Sequence, residues 1–118
     1  MNLQTERRNG DVFVIKLTTD ESIFFGNTLN EVLRGIRVDN FEHRIKASKE
    51  STEQLWSKFT RNAPLSNEVT LSSSEITSLC SSARLCYEEF GNEEFSTRLG
   101  FSAAEALKRV EALENLLR

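Results

Sequence analysis

The chain has 118 residues, 38% of them hydrophobic and 28% charged, with a formal net charge of -3. A globule of that length buries roughly two thirds of its unfolded surface, which argues against wholesale disorder and against any need for metal or disulfide staples. No run approaches the ~18 apolar residues of a membrane helix, no charged-then-apolar leader opens the sequence, and the acidic balance argues against a non-specific nucleic-acid binder. One cytoplasmic domain over 1–118, with no membrane partner, is therefore expected.

Residues 1–10 are polar and without periodicity, so a loose N-terminal arm is expected there. Val12 to Leu17 reads as a strand with Phe13, Ile15 and Leu17 on one face. Thr18 with Glu21 forms the signature of a capping box, which starts a helix near Thr19. The apolar positions Phe25, Leu29, Val32, Leu33 and Ile36 then follow one helical stripe. Gly26 inside that helix points to a close packing contact, and Gly35 to its end. A short turn follows, capped by Asp39 and burying Phe41 and Ile45. Ser48 opens a third helix carrying Leu55, Trp56 and Phe59, which ends at Arg61 to Pro64, the single proline.

The order then recurs. Val69 to Leu71 is a shorter strand, and Ser72 with Glu75 is a second capping box. The next helix buries Ile76, Leu79, Ala83, Cys86 and Phe90 and closes at Gly91. Asn92 caps a turn holding Phe95 and Leu99. Ser102 with Glu105 is a third box, opening a last helix with Leu107, Val110, Leu113 and Leu117 on its apolar side.

A displacement of 54 positions lays Leu17–Glu21 on Leu71–Glu75, Phe41, Arg44 and Ile45 on Phe95, Arg98 and Leu99, and Ser48 on Ser102, without a gap. Self-similarity at a fixed period marks one supersecondary unit packed on its own copy. The fold expected is α+β and mainly helical: two β-α-α-α repeats, about 11–61 and 67–118, related by a pseudo-two-fold. Their strands form a small antiparallel two-stranded ribbon covered by helices. A ribbon of that kind leaves open edges, so a homodimer through a continued sheet is the natural assembly to expect.

Chemistry is sparse. No glycine-rich phosphate loop occurs, and His43, the single histidine, sits in a polar turn. Cys80 and Cys86 lie six apart in one helix, hence about 9 Å and 120° apart, beyond the reach of a disulfide. They read as core fillers, since a metal would need two further ligands. No cofactor, metal or catalytic residue is assigned, and the chain is read as a non-enzyme. Arg44 and Arg98 each follow a core phenylalanine by three, so Phe41, Arg44, Phe95 and Arg98 are read as structural repeat residues, with Glu21 and Glu75 as the partners of the two arginines. Glu88, Glu89, Glu93 and Glu94 form an acidic patch, the best candidate for contact with a protein partner, because acidic surfaces steer basic ones.

Residues 92–117 also resemble a helix-turn-helix, with Leu99-Gly100-Phe101-Ser102 as the turn. A DNA-reading helix should expose Arg, Lys, Asn, Gln or Ser on its first turns. Ala103, Ala104 and Glu105 stand there instead, with Lys108 and Arg109 a turn later.

Leu29-Asn-Glu-Val32, Gly35-Ile36, Phe41-x-x-Arg44-Ile45 and Ser48 resemble a segment of small, uncharacterised bacterial proteins. Those carry a Leu-Asn-Glu-Val stretch, a Gly-Ile, and a Phe-x-x-Arg-Leu-Gly turn before a final helix. The second half of this chain keeps Phe95 to Ser102 with Gly100, but has Ala83-Arg-Leu-Cys86 in place of the first motif. The first half has Lys46 where the glycine would fall. The resemblance implies a bacterial, cytosolic, stand-alone domain and brings no activity. The function expected is a non-enzymatic protein-binding module, a regulator or immunity-type inhibitor of unknown partner. The alternative is a DNA-binding transcriptional regulator using residues 92–117.

Overall fold

A computed structural model describes residues 4–9, 12–60 and 68–117. Alternation along β2 (Val12–Lys16) turns Phe13 and Ile15 inward, and β3 (Glu68–Ser72) does the same with Val69 and Leu71. The two strands pair antiparallel, with Ile15 opposite Val69 and Phe13 opposite Leu71, so the four buried side chains form one apolar face.

The ribbon carries a third strand. Within the expected loose arm, β1 (Gln4–Asn9) pairs antiparallel with the free edge of β2, giving the order β1-β2-β3. Its sequence, Gln-Thr-Glu-Arg-Arg-Asn, has no apolar alternation, because main-chain hydrogen bonding to an open edge asks for none.

The helices begin where their caps dictate. α1 (Thr19–Asn30) and α4 (Ser73–Leu99) both start on complete capping boxes, Thr18 with Glu21 and Ser72 with Glu75. α1 runs on into a π-helical turn, Glu31–Gly35, before α2 (Phe41–Ile45) and α3 (Lys49–Thr60). Ser48 accepts from the Ser51 amide at the start of α3. In α5 (Ala103–Leu116) only half of the third box is made: Ser102 accepts from the Glu105 amide, and the Glu105 carboxylate does not reach back. Asp39 does not cap α2. The N-cap is Asn40, in the left-handed region at φ 53°, without a side-chain hydrogen bond. The expected boundary at Arg61 to Pro64 lies outside the described residues.

Two turns share one solution with different residues. After α2, Lys46 takes φ 69° and its amide donates to the Glu42 carbonyl. After α4, Gly100 takes φ 84° and donates to the Ser96 carbonyl. Glycine adopts this conformation freely, whereas a side chain costs about 1–2 kcal/mol there. Lys46→Gly is therefore expected to stabilise the fold by about 0.5–1 kcal/mol, after the unfolded-state entropy of glycine is deducted. A rise in the urea midpoint would show it; an unchanged or lower midpoint would contradict it.

A continuous core joins the sheet face to both long helices. Phe24 lies at its centre, with ring centroids 5.1 Å from Phe25, 5.9 Å from Phe95 and 5.2 Å from Phe101. Thr28 and Ser82 are buried hydroxyls on α1 and α4, each satisfied by the carbonyl four residues back.

Candidate functional site

Gly91 organises the acidic patch. Its φ of 71° and ψ of -179° break α4 into segments on either side, a conformation reserved for glycine. Glu88 and Glu89 end the first segment, and Glu93 and Glu94 begin the second. All four are exposed around the corner.

They are not equivalent. Glu88 accepts from Arg44 Nη2 at 3.0 Å, and Glu94 accepts from Arg98 Nε at 2.8 Å. Glu89 and Glu93 make no ion pair among the described residues. Arg98 also reaches Glu31 at 3.4 Å and lies 4.7 Å over the Phe90 ring. The hydrogen bond that Arg98 donates to Glu94 raises the arginine's already high pKa, so it remains a guanidinium. Phe90, Glu93, Glu94, Thr97 and Arg98 border an open depression of about 500 Å³.

Arg44 and Arg98 thus have partners other than Glu21 and Glu75. Those two glutamates are engaged at their helix caps and pair with cations from the last helix of the other half: Glu21 with Arg109 at 2.8 Å, Glu75 with Lys58 at 2.9 Å. Sequence spacing shows the short-range turn and not which chain segment folds over it. Phe41 and Phe95 are buried as expected, while Arg44 and Arg98 lie on the surface and tie α2 and the end of α4 to their neighbours.

The helix-turn-helix-like segment has its turn at Gly100 and its cap at Ser102. Ala103 and Ala106 pack into the core. Arg109 is buried against Glu21, stacked 4.9 Å from the Phe101 ring, and donates to the Glu105 carbonyl at 3.0 Å. Lys108 is exposed, as are Ala104 and Glu105.

His43 is exposed on a wide groove of about 830 Å³ shared with Glu42, Ser48 and Glu50. No hydrogen bond joins it to the serine or to either glutamate, and Ser48 is occupied as the α3 cap. No cluster of three metal-ligating side chains occurs among the described residues, and no helix there is long and apolar enough to cross a membrane.

Both cysteines are free and buried. Burial pushes the Cys80 thiol up to about 12, with Glu114 adding to the effect and Arg84 opposing it. Burial likewise pushes Cys86 to about 12, reinforced by Glu31 and Glu89. In the unfolded chain these thiols ionise near 8.5. Between those values the unfolded state holds fewer protons, so stability is full below the lower value and declines as pH rises toward the upper. The expected slope is about 1.4 kcal/mol per pH unit for each thiol. Urea titrations at alkaline pH, compared with a Cys80→Ala/Cys86→Ala variant, read it directly; equal alkaline slopes in the two proteins would contradict it.

No protein-family model matches the chain, and neither a curated protein nor a solved structure matches it significantly.

Proposed function

We propose that the chain is a non-enzymatic protein-binding module that engages a basic partner through the acidic corner at Gly91, as a regulator or immunity-type inhibitor acting by occlusion. One observation carries the reading: Glu89 and Glu93 project from a fixed backbone corner and make no ion pair among the described residues, while Glu88 and Glu94 are held beside them by arginines. Charge fixed in place favours fast, steered encounter with a cationic surface.

The scaffold we propose for this surface is a duplicated half-domain with a pseudo-two-fold through the Ile15–Val69 pair. Supporting it are the matching boxes at Thr18 and Ser72, the matching left-handed turns at Lys46 and Gly100, and the buried hydroxyls of Thr28 and Ser82. Each of these pairs is related by the same displacement along the chain.

The test is a Glu89→Lys/Glu93→Lys variant. Cross-linking and capture at low salt should recover a basic partner with the native chain and lose it with the variant, at unchanged melting temperature. Capture that survives both reversals overturns the reading. Retention on duplex DNA that collapses with salt and weakens with Lys108→Glu would favour the DNA-binding alternative instead. Arg109→Glu is a poor probe of DNA contact, since that side chain is buried in an ion pair.

A further inference from the structure

The sheet ends differently on its two sides. β1 covers the edge of β2, and no strand among the described residues covers the outer edge of β3. Successive residues of an antiparallel strand turn their main-chain N–H and C=O groups to opposite sides, so Thr70 and Ser72 direct theirs to the same edge, away from β2. Two of those groups already have partners. Lys58 Nζ, from α3, donates at 2.8 Å to the Thr70 carbonyl, and the Ser72 amide donates at 2.8 Å to Glu75. The same ammonium holds both oxygens of that carboxylate at 2.9 Å. One cation thus ties a strand edge to the capping box that starts α4.

We propose that Lys58 is an edge guard: it holds the sheet at three strands, and without its ammonium β3 adds the β3 strand of a second copy. An incoming strand needs the Thr70 carbonyl, and taking it means stripping an ammonium from a carbonyl and a carboxylate at once. Hydrogen bonds to ionised groups are roughly twice as strong as neutral ones, and Lys58 and Glu75 are both only partly exposed, so a neutral main-chain amide does not displace them. A lysine on the edge is one of the devices that keep strands from pairing with other chains.

The strand beneath the guard is complementary to itself. Glu68-Val-Thr-Leu-Ser72 has Val69, Thr70 and Leu71 at its centre, two of them β-branched and suited to a strand. Laid antiparallel on its own copy about Thr70, it sets Val69 of each chain against Leu71 of the other, and Glu68 against Ser72. Val69 and Leu71 are buried on the inner face, so this register continues the apolar face across a two-fold axis, and no like charges meet. The inference goes beyond the partner-binding reading and uses no residue of the acidic corner.

Sedimentation velocity of the full chain and its variants reads the guard as an association constant. Lys58→Met keeps most of the apolar stem and should raise self-association at least about tenfold over the native chain. Lys58→Gln, neutral and shorter, should do the same, whereas Lys58→Arg, which still donates as a cation, should not. Thr70→Pro removes the outward N–H without touching the ladder to β2, and should abolish the gain in either background. Circular dichroism and melting curves confirm that each variant is folded. An association constant unchanged in either folded neutral variant overturns the proposal, as does a gain that Lys58→Arg shares or that Thr70→Pro fails to remove. Glu89→Lys/Glu93→Lys should leave the gain intact, which separates failure here from failure of the partner-binding reading.

Discussion

Replacing Arg109 by methionine should destabilise the protein by about 3–5 kcal/mol, because it strands a carboxylate in the core. Glu21 is 0% exposed and Arg109 6%, and the pair spans nearly the whole chain. One Glu21 oxygen accepts from the Thr18 amide at 2.8 Å, and the other accepts from Arg109 Nε at 2.8 Å. Removing the guanidinium leaves the second oxygen without its donor, away from solvent that could replace it. The methylene stem is largely kept by methionine, so loss of packing is a minor part of the effect. Glu21→Gln alone should also be costly, since an amide N–H would then face the guanidinium. The double variant should cost less than the two singles together, which a double-mutant cycle in urea would measure. Simple additivity would show that the two side chains are not coupled. Exposed pairs behave otherwise: breaking Arg44–Glu88 should cost no more than about 1 kcal/mol, because water screens and solvates both partners.

Phe24→Ala is expected to cost about 3–5 kcal/mol, the range for deleting a buried aromatic side chain. The ring is fully buried and bridges three elements, touching Phe25 on its own helix, Phe95 beyond the Gly91 corner and Phe101 before α5. The cavity left behind is bounded by segments held by caps on either side, so it cannot collapse easily. Phe90→Ala, at a half-buried position, is the control and should cost markedly less. Equal losses at the two sites in chemical denaturation would mean that Phe24 is not at the centre of the core.

Features with a local cause were legible before the fold was known. The boxes at Thr18 and Ser72 need only a hydroxyl and a carboxylate three residues apart, and both helices start there. The inward faces of β2 and β3 follow from alternation, and the corner at Gly91 from glycine itself. What escaped was non-local. β1 is recruited by main-chain pairing and leaves no side-chain pattern. The partner of Glu21 is 88 positions away, so a capping box accounts for one carboxylate oxygen and is silent about the other. Phe24 lies beside the stripe of Phe25, Leu29 and Val32, and its burial depends on the second half of the chain closing over it. At the acidic patch, spacing placed the four glutamates together, and only the fold shows which two are neutralised.

The bend in α4 sets the size of the molecule. Twenty-seven residues drawn out as a straight rod would run about 40 Å, beyond the 34 Å of the protein's longest axis. One backbone hinge point therefore returns Phe95 and Leu99 to the interior and thrusts Glu89 and Glu93 outward at the same vertex. Interior closure and surface charge are geometrically yoked: a drift in that single torsion would reshape both together, never one alone.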